Sequence, residues 1–166
     1  MLKRIKYTLA AVCFLFNCSV LADITIPMTL TTKQGLGKAI GTITAKETAK
    51  GVIFTPNLHG LPPGFHGFHI HQNPSCLDEG KAAGDHFDPQ HTNHHLGPYE
   101  KGHLGDLPAL QVNNDGNATI TMLAPRLHLN NLKKHSLIIH AGGDNYSDIP
   151  QHLGGGGSRI ACGVIK

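Results

Sequence analysis

The sequence predicts an all-β fold, and three observations carry the prediction. Apolar and polar residues alternate over residues 24–30, 39–44 and 118–123, the two-residue period of a half-buried strand. No window of helical length carries a 3.6-residue apolar stripe with caps. The 166 residues include 20 Gly and 10 Pro, a content suited to turns between short strands and unsuited to a helical bundle. With 40% hydrophobic and 15% charged residues the chain is too apolar for disorder, and its length leaves room for one domain with its own core.

The N-terminus reads as a secretory signal peptide over residues 1–22. Lys3, Arg4 and Lys6 form a basic start, residues 9–21 are mostly apolar, and Val20-Leu21-Ala22 ends in the small residue that precedes a cleavage point. Asn17 and Ser19 interrupt the apolar run, which is also short for a membrane span. Cys18 raises a lipid anchor as an alternative, but Phe16-Asn17 before it lacks the small residues such an anchor needs. Cleavage removes three of the 14 Lys plus Arg and leaves 11 against 11 Asp plus Glu. The formal charge of +3 therefore belongs to the leader, and nucleic-acid binding loses its only support. Cys13 and Cys18 leave with it, so Cys76 and Cys162 remain. Two cysteines in an exported chain read as one disulfide, with two unpaired buried thiols as the alternative.

The remainder, residues 23–166, reads as one domain. Strand candidates follow one another at 24–30, 39–44, 51–58, 65–71, 109–112, 118–123, 136–140 and 159–165, with a tight turn at Asn114-Asp115-Gly116-Asn117. About eight short strands joined by turns suggest a sandwich, of immunoglobulin-like architecture, or a closed barrel. Two stretches break the rhythm. Residues 72–108 are polar and crowded with His, Gly, Asp and Pro, and residues 141–158 are Gly-rich. Loops of that length are usually functional. The run Gly154-Gly155-Gly156-Gly157 is too short to link domains, and no internal repeat is visible.

The 13 His, nearly as many as the 14 Lys plus Arg, point to metal or proton chemistry. In Phe68-His69-Ile70-His71 the two imidazoles sit at i and i+2 of a strand, so they leave one face and converge. Alternating polar residues on an exposed strand would produce the same pair. Five His then fall within residues 86–103, in a loop whose Gly and Pro fix turns, and His103 and Asp106 are three apart around Gly105. Farther on, His140 closes the apolar strand Ser136-Leu137-Ile138-Ile139, and Arg159 follows the Gly run. Taken singly, His140 and Arg159 read as surface groups.

Together these segments resemble the Cu,Zn superoxide dismutases in their bacterial exported form. The resemblance rests on Gly67-Phe68-His69-Ile70-His71, His86-Phe87-Asp88-Pro89, His95-Leu96-Gly97-Pro98, Gly102-His103-Leu104-Gly105-Asp106-Leu107-Pro108, Ile139-His140 and Gly157-Ser158-Arg159-Ile160-Ala161-Cys162-Gly163-Val164-Ile165, in the family's order. It implies an eight-stranded Greek-key β-barrel. It implies copper held by His69, His71, His86 and His140, and zinc held by His86, His95, His103 and Asp106, with His86 shared. Four imidazoles suit Cu(II), and three His with a carboxylate suit zinc. Asp144 takes the place of the carboxylate that hydrogen-bonds a copper ligand and a zinc ligand, Arg159 that of the cation attracting superoxide, and Cys76–Cys162 that of the intrachain disulfide. The implied activity is dismutation of superoxide, a small anion, to dioxygen and hydrogen peroxide by copper redox cycling. Zinc is structural and tunes His86, and His86 and Arg159 are the catalytic pair. The implied setting is the periplasm, with no nucleic-acid partner, no membrane after cleavage, and a homodimer ahead of a monomer.

Some features depart from the family pattern. Residues 141–158 carry only two charges, Asp144 and Asp148, so the charged guiding loop of eukaryotic members is missing. Asp85 precedes His86, and His94 stands beside His95, which is preferred because Leu-Gly-Pro follows it. Residues 23–36 lack a His/Met-rich extension. His59, His66, His91, His128, His135 and His152 receive no ligand role. Two rival classes, a zinc hydrolase and an exported metal buffer, are separated from a dismutase by metal content and by the dependence of activity on copper.

Overall fold

In a computed structural model the described residues are 22–166, so the expected leader lies outside them except for Ala22. Nine strands follow in order: β1 (Ile24–Thr32), β2 (Gly35–Thr48), β3 (Gly51–Leu58), β4 (Gly64–His66), β5 (Phe68–His71), β6 (Leu110–Val112), β7 (Met122–Ala124), β8 (Ser136–His140) and β9 (Arg159–Val164). Seven form one antiparallel sheet in the order β5-β8-β9-β1-β2-β3-β7, and β4 pairs with β6 in a second ribbon. The neighbours β5–β8 and β9–β1, distant in sequence, give the sheet its Greek-key connectivity. It curls so that one core lies inside it and the ribbon, with Ile26, Met28, Ile43, Phe54 and Phe68 meeting Leu110 and Val112. Among the described residues the helical segments are three short 3-10 turns, at Lys81–Ala83, Leu129–Asn131 and His152–Gly155. None is long and apolar enough to cross a membrane.

The alternation read in the sequence becomes the inside and outside of this barrel. Along β1 Ile26 and Met28 are buried while Thr25 and Pro27 are exposed, and in the core Phe54 of β3 meets Phe68 edge to face with ring centroids 6.0 Å apart. The Asn114–Asn117 turn forms, fixed by Asn113 Oδ1, which accepts from the amides of Asp115 and Asn117. Two differences from the expected eight strands have local causes. The segment 65–71 divides at Gly67, whose amide donates to Gly142 O and whose carbonyl accepts from His140 N, so that the 141–158 loop is tied in there. In the segment 118–123 only Met122 and Leu123 lie in a ladder, and Ala118 makes a single bridge to Leu58.

The disulfide Cys76–Cys162 is formed, with Cα atoms 5.8 Å apart. It ties the 72–108 loop to β9.

Candidate metal centre

The site is built on a sheet edge. β5 ends the seven-stranded sheet, with β8 on one side, and its other side is covered by the 72–108 loop. Ile70 N donates to Gly105 O, Phe87 N to Ile70 O, Gln72 N to Asp85 O and Asn73 N to Ala83 O, all at 2.8–3.0 Å. Backbone groups that an open edge would present to other chains are thus satisfied internally. The same bonds set the ligands' places: His69 lies across from Asp106 and His71 across from His86 as isolated bridges.

Within β5, Phe68 and Ile70 face the core while His69 and His71 face the loop, as the two-residue period requires. His140 arrives at the end of β8, its amide bonded to Gly67 O. The ligand atoms of His69, His71, His86 and His140 lie within 4.8 Å of one another, and so do those of His69, His86, His95 and Asp106. All are buried. His103 adjoins the second group, its Nδ1 3.4 Å from Asp106 Oδ1. His94 is exposed, and the imidazole facing the cluster is that of His95.

The hydrogen bonds around the rings decide which nitrogens are free. Nε2 of His69 donates to Asp144 Oδ2 at 2.7 Å, and Nε2 of His95 donates to Asp144 Oδ1 at 2.8 Å. Nδ1 of His71 donates to Gly84 O at 2.8 Å, and Nδ1 of His140 to Gly157 O at 3.2 Å. A neutral imidazole has one N–H, so the opposite nitrogen of each ring presents a lone pair. Those nitrogens, His69 Nδ1, His71 Nε2, His95 Nδ1 and His140 Nε2, are buried without hydrogen-bond partners, together with His103 Nδ1 and Asp106 Oδ2. His95 Nδ1 lies 3.0 Å from Asp106 Oδ2, an ion-pair distance without the alignment of a hydrogen bond. Buried polar atoms without partners are rare and costly, and six gathered in one cluster of imidazoles and a carboxylate are the donor set of metal ions. The residues fit the two ions.

His69 belongs to both groups of close ligand atoms, but its Nε2 is held by Asp144, so one nitrogen remains. His86 differs. Its Nδ1 is 2.8 Å from Asp106 Oδ1, its ring centroid is 4.0 Å from that of His69 and 5.2 Å from that of His95, and no backbone acceptor holds either nitrogen.

Protonation follows burial and charge. Burial pushes His69, His71 and His86 below the ordinary imidazole value and brings His140 to about 4. These rings are therefore neutral near pH 7, as metal binding requires. His95 differs: burial opposes its charge, but Asp106 and Asp144 outweigh burial and raise it to about 9. Both carboxylates are buried, which opposes their charge, yet their histidine partners hold them below the usual carboxylate range.

A cleft of about 330 Å³ reaches His86 and His140, walled by residues 151–153 and 155–157 and by Arg159. Arg159 is half-buried. Its fork donates to Gly80 O and Gly84 O at 2.7 Å and to Lys81 O at 3.3 Å. Gly84 O also accepts from His71, so one carbonyl links the guanidinium to a ring of the site.

Three features escape a reading of the sequence. His66 is buried, with Nδ1 at His140 O and Nε2 at Pro62 O, each 2.8 Å away. Gly154 packs against the Asp144–His95 pair and Gly156 against the His140 ring. Asp148 accepts from the His95 amide. The odd spacing of His66 before His69 and the Gly run were the visible signals for the first two, and the scarcity of charge over residues 141–158 was the signal for the third.

Geometry of this kind defines a class, an all-β metalloprotein with two adjacent, buried binding centres on one barrel flank. The model of the Copper/zinc superoxide dismutase (SODC) family matches residues 39–165, and the chain belongs to that family. It is 56% identical over 150 residues to Superoxide dismutase [Cu-Zn] of Escherichia coli (strain K12), covering 85% of this chain and 87% of that one. It is 54% identical over 175 residues to Superoxide dismutase [Cu-Zn] 1 of Salmonella typhimurium, covering 97% and 99%. The solved Cu/Zn superoxide dismutase from Brucella abortus superposes with a TM-score of 0.83 at 48% identity, covering 87% of this chain and 100% of that one. The solution structure of the monomeric copper, zinc superoxide dismutase from Salmonella enterica gives 0.77 at 54% identity, with the same coverage.

Proposed function

We propose that this chain dismutates superoxide to dioxygen and hydrogen peroxide with copper and zinc as cofactors. His69, His71, His86 and His140 would hold copper; His86, His95, His103 and Asp106 would hold zinc; His86 would be shared. The observation that carries the reading is the set of six buried, partnerless donor atoms, five of them in the two groups that share His69 and His86 and the sixth, His103 Nδ1, beside Asp106 of the second group.

When bound, copper supplies the one-electron exchange that oxidises one superoxide and reduces the next, and zinc supplies fixed positive charge. The chain's own residues do the rest. Arg159, on the cleft wall, attracts the anion, and its carbonyl partners hold the fork in place. Asp144 fixes the rings of His69 and His95 together. His86 lines the cleft with Nδ1 beside Asp106, and its other nitrogen, Nε2, would hold a proton and deliver it to the product. Two superoxide ions and two protons give dioxygen and hydrogen peroxide; one proton comes from His86 Nε2 and the other from solvent.

The purified protein is expected to contain close to one copper and one zinc per chain. Superoxide removal should vanish on copper extraction and return on copper addition. Activity that survives copper removal, or zinc alone at full occupancy, would overturn this reading in favour of a hydrolase. Variable copper content without turnover would favour a metal buffer.

The domain boundary and the destination belong to the same proposal: a leader over residues 1–22, removed after Ala22, and a barrel over 23–166 in the periplasm. Mass spectrometry of a periplasmic extract should give a chain beginning at Asp23. The homodimer expected from the resemblance stands beside a monomer, which the monomeric Salmonella enterica relative favours. Sedimentation of the metal-loaded protein decides between them.

A further inference from the structure

The 141–158 loop has two charged residues, and both reach toward His95. Asp144 holds its ring. Asp148 holds its backbone, since Oδ2 accepts from His95 N at 3.0 Å. The other oxygen of the same carboxylate, Oδ1, accepts from Leu153 N at 3.2 Å and lies 3.0 Å from His152 Nδ1. Leu153 and His152 line the cleft that opens on His86 and His140. One carboxylate therefore joins a residue of the zinc-side loop to the wall of the copper-side cleft, across 53 positions of sequence on one side and five on the other.

Leu153 needs such an anchor. Its φ of 55° and ψ of 44° lie in the left-handed region, which L-residues with a Cβ avoid. Residues of this kind persist where surrounding contacts over-determine them. At Leu153 those contacts are the Asp148 bond on its own amide and, one residue on, Gly154 N to Ser147 O and Asn145 N to Gly154 O.

We propose that Asp148 is a positioning residue that makes the zinc-side loop at His95 and the cleft wall at Leu153 move as one. It touches neither substrate nor metal and acts through the two amides it holds. The inference rests on His95 being a zinc ligand. Loss of zinc would then free the His95 backbone and, through the shared carboxylate, loosen the wall that shapes the approach of anions to His86 and His140.

The test is amide hydrogen exchange at His95 and Leu153 in the copper- and zinc-loaded protein and after selective zinc removal, for the parent, Asp148→Ala and Asp148→Asn. In the parent, zinc removal should speed exchange at both amides together. In Asp148→Ala with both metals bound, Leu153 should exchange at least tenfold faster than in the parent, and zinc removal should add nothing further at Leu153. Asp148→Asn keeps the shape but only one accepting oxygen, so one of the two amides should lose protection and the other keep it. That isosteric variant carries the test if Asp148→Ala does not fold. Azide binding to copper should weaken in both variants and should depend less on zinc than in the parent. Parent-like Leu153 exchange in Asp148→Ala, or two fully protected amides in Asp148→Asn, would overturn the clamp alone. Zinc removal that leaves both amides of the parent unchanged would overturn the transmission alone, whereas full zinc content in His95→Ala would overturn the zinc assignment of His95 on which it rests.

Discussion

Gly154 and Gly157 allow the packing of the site to be separated from backbone strain. Both adopt left-handed angles, with φ of +74° and +70°, so alanine costs each about 1–2 kcal/mol of strain. Their surroundings differ. A Cβ on Gly157 would meet nothing within 4 Å. A Cβ on Gly154 would overlap Asp144 Oδ1 and lie 2.6 Å from His95 Nε2, the two atoms of a 2.8 Å hydrogen bond. That bond is charge-assisted, and losing it costs roughly 1.5–3 kcal/mol more. Gly154→Ala should therefore destabilise the metal-free protein by about 3–5 kcal/mol, against about 1–2 kcal/mol for Gly157→Ala. At about 2–4 °C per kcal/mol for a domain of this size, calorimetry resolves the difference. Because a carboxylate behind a metal-bound histidine is typically worth about 10–100-fold in metal affinity, chelator competition should show zinc held at least tenfold more weakly in Gly154→Ala and unchanged in Gly157→Ala. Gly156 completes the series. Its φ of −60° suits alanine, and a Cβ there would press on His140 at 3.0 Å, so copper should suffer and zinc should not. Equal thermal midpoints and equal zinc affinity in Gly154→Ala and Gly157→Ala would refute the reasoning, because strain alone would then explain both.

The Cys76–Cys162 bond closes a loop spanning 86 positions, worth roughly 4–5 kcal/mol by chain entropy. Replacing both by Ser should lower the thermal midpoint and speed copper loss, and an unchanged midpoint in the metal-loaded protein would count against it. His86→Ala should damage both metal sites, whereas His140→Ala should lose copper and keep zinc near stoichiometric, as metal analysis would show. Arg159→Ile removes a charge worth roughly 2–3 kcal/mol to an anion about 6 Å away at an effective dielectric near 20. Superoxide removal should fall at least tenfold in stopped flow with both metals retained; Arg159→Lys should fall between, since its single ammonium cannot fork between Gly80 O and Gly84 O. In the metal-free protein, His95 at about 9 contributes roughly 3 kcal/mol of stability that is full below the unfolded value near 6.5 and lost as pH rises toward 9. His140 at about 4 acts oppositely, its contribution full above about 6.5 and lost as pH falls toward 4. The metal-free protein should therefore be most stable near pH 6.5, with the alkaline loss absent once zinc is bound, and zinc addition at pH 7.5 should release a proton from His95 in calorimetry across buffers.

The parts of the site that were legible in the sequence are those a side chain's type and period determine. His69 and His71 announce a shared face because a strand repeats every two residues, and Cys76 and Cys162 announce a bond because they are the two cysteines of residues 23–166. The strands were legible where alternation is long, as over residues 24–30 in β1, and less so over 118–123, where the alternation belongs to a segment that is mostly turn and bridge. What was not legible depends on backbone groups that every residue carries. Gly84 O fixes the tautomer of His71, Gly157 O that of His140, and His140 O holds His66. No residue type marks a carbonyl that will accept such a bond, so the fold must be in hand before free nitrogens can be told from bound ones. Asp148 illustrates the point: in sequence it is one more loop carboxylate, and only the approach of the His95 and Leu153 amides gives it a role.

The placement of the metals also bears on why the fold holds. β5 is an edge strand whose outer side is paired with a loop and not with another strand, through bonds at Ile70, Gln72 and Asn73. A loop of that length keeps considerable conformational freedom, and closing it against an edge costs entropy that a few backbone hydrogen bonds offset poorly. The proposed ligands lie across this seam, with His69 and His71 on the strand and His86, His95, His103 and Asp106 on the loop. Ions bound there fasten the loop to the sheet, and their binding free energy adds to the stability of the folded chain. The disulfide fastens the same loop to β9, and Arg159 fastens it at Gly80 and Gly84. Three independent fastenings converge on one loop because the loop carries the ligands. An ion pair of sites that must keep its spacing through repeated changes of charge requires a frame that does not relax when one ligand is protonated. The covalent and hydrogen-bonded ties to β9 supply that frame from outside the metal sites, so that His86, in the proton role proposed for it, would release and regain a proton while its neighbours stay in place.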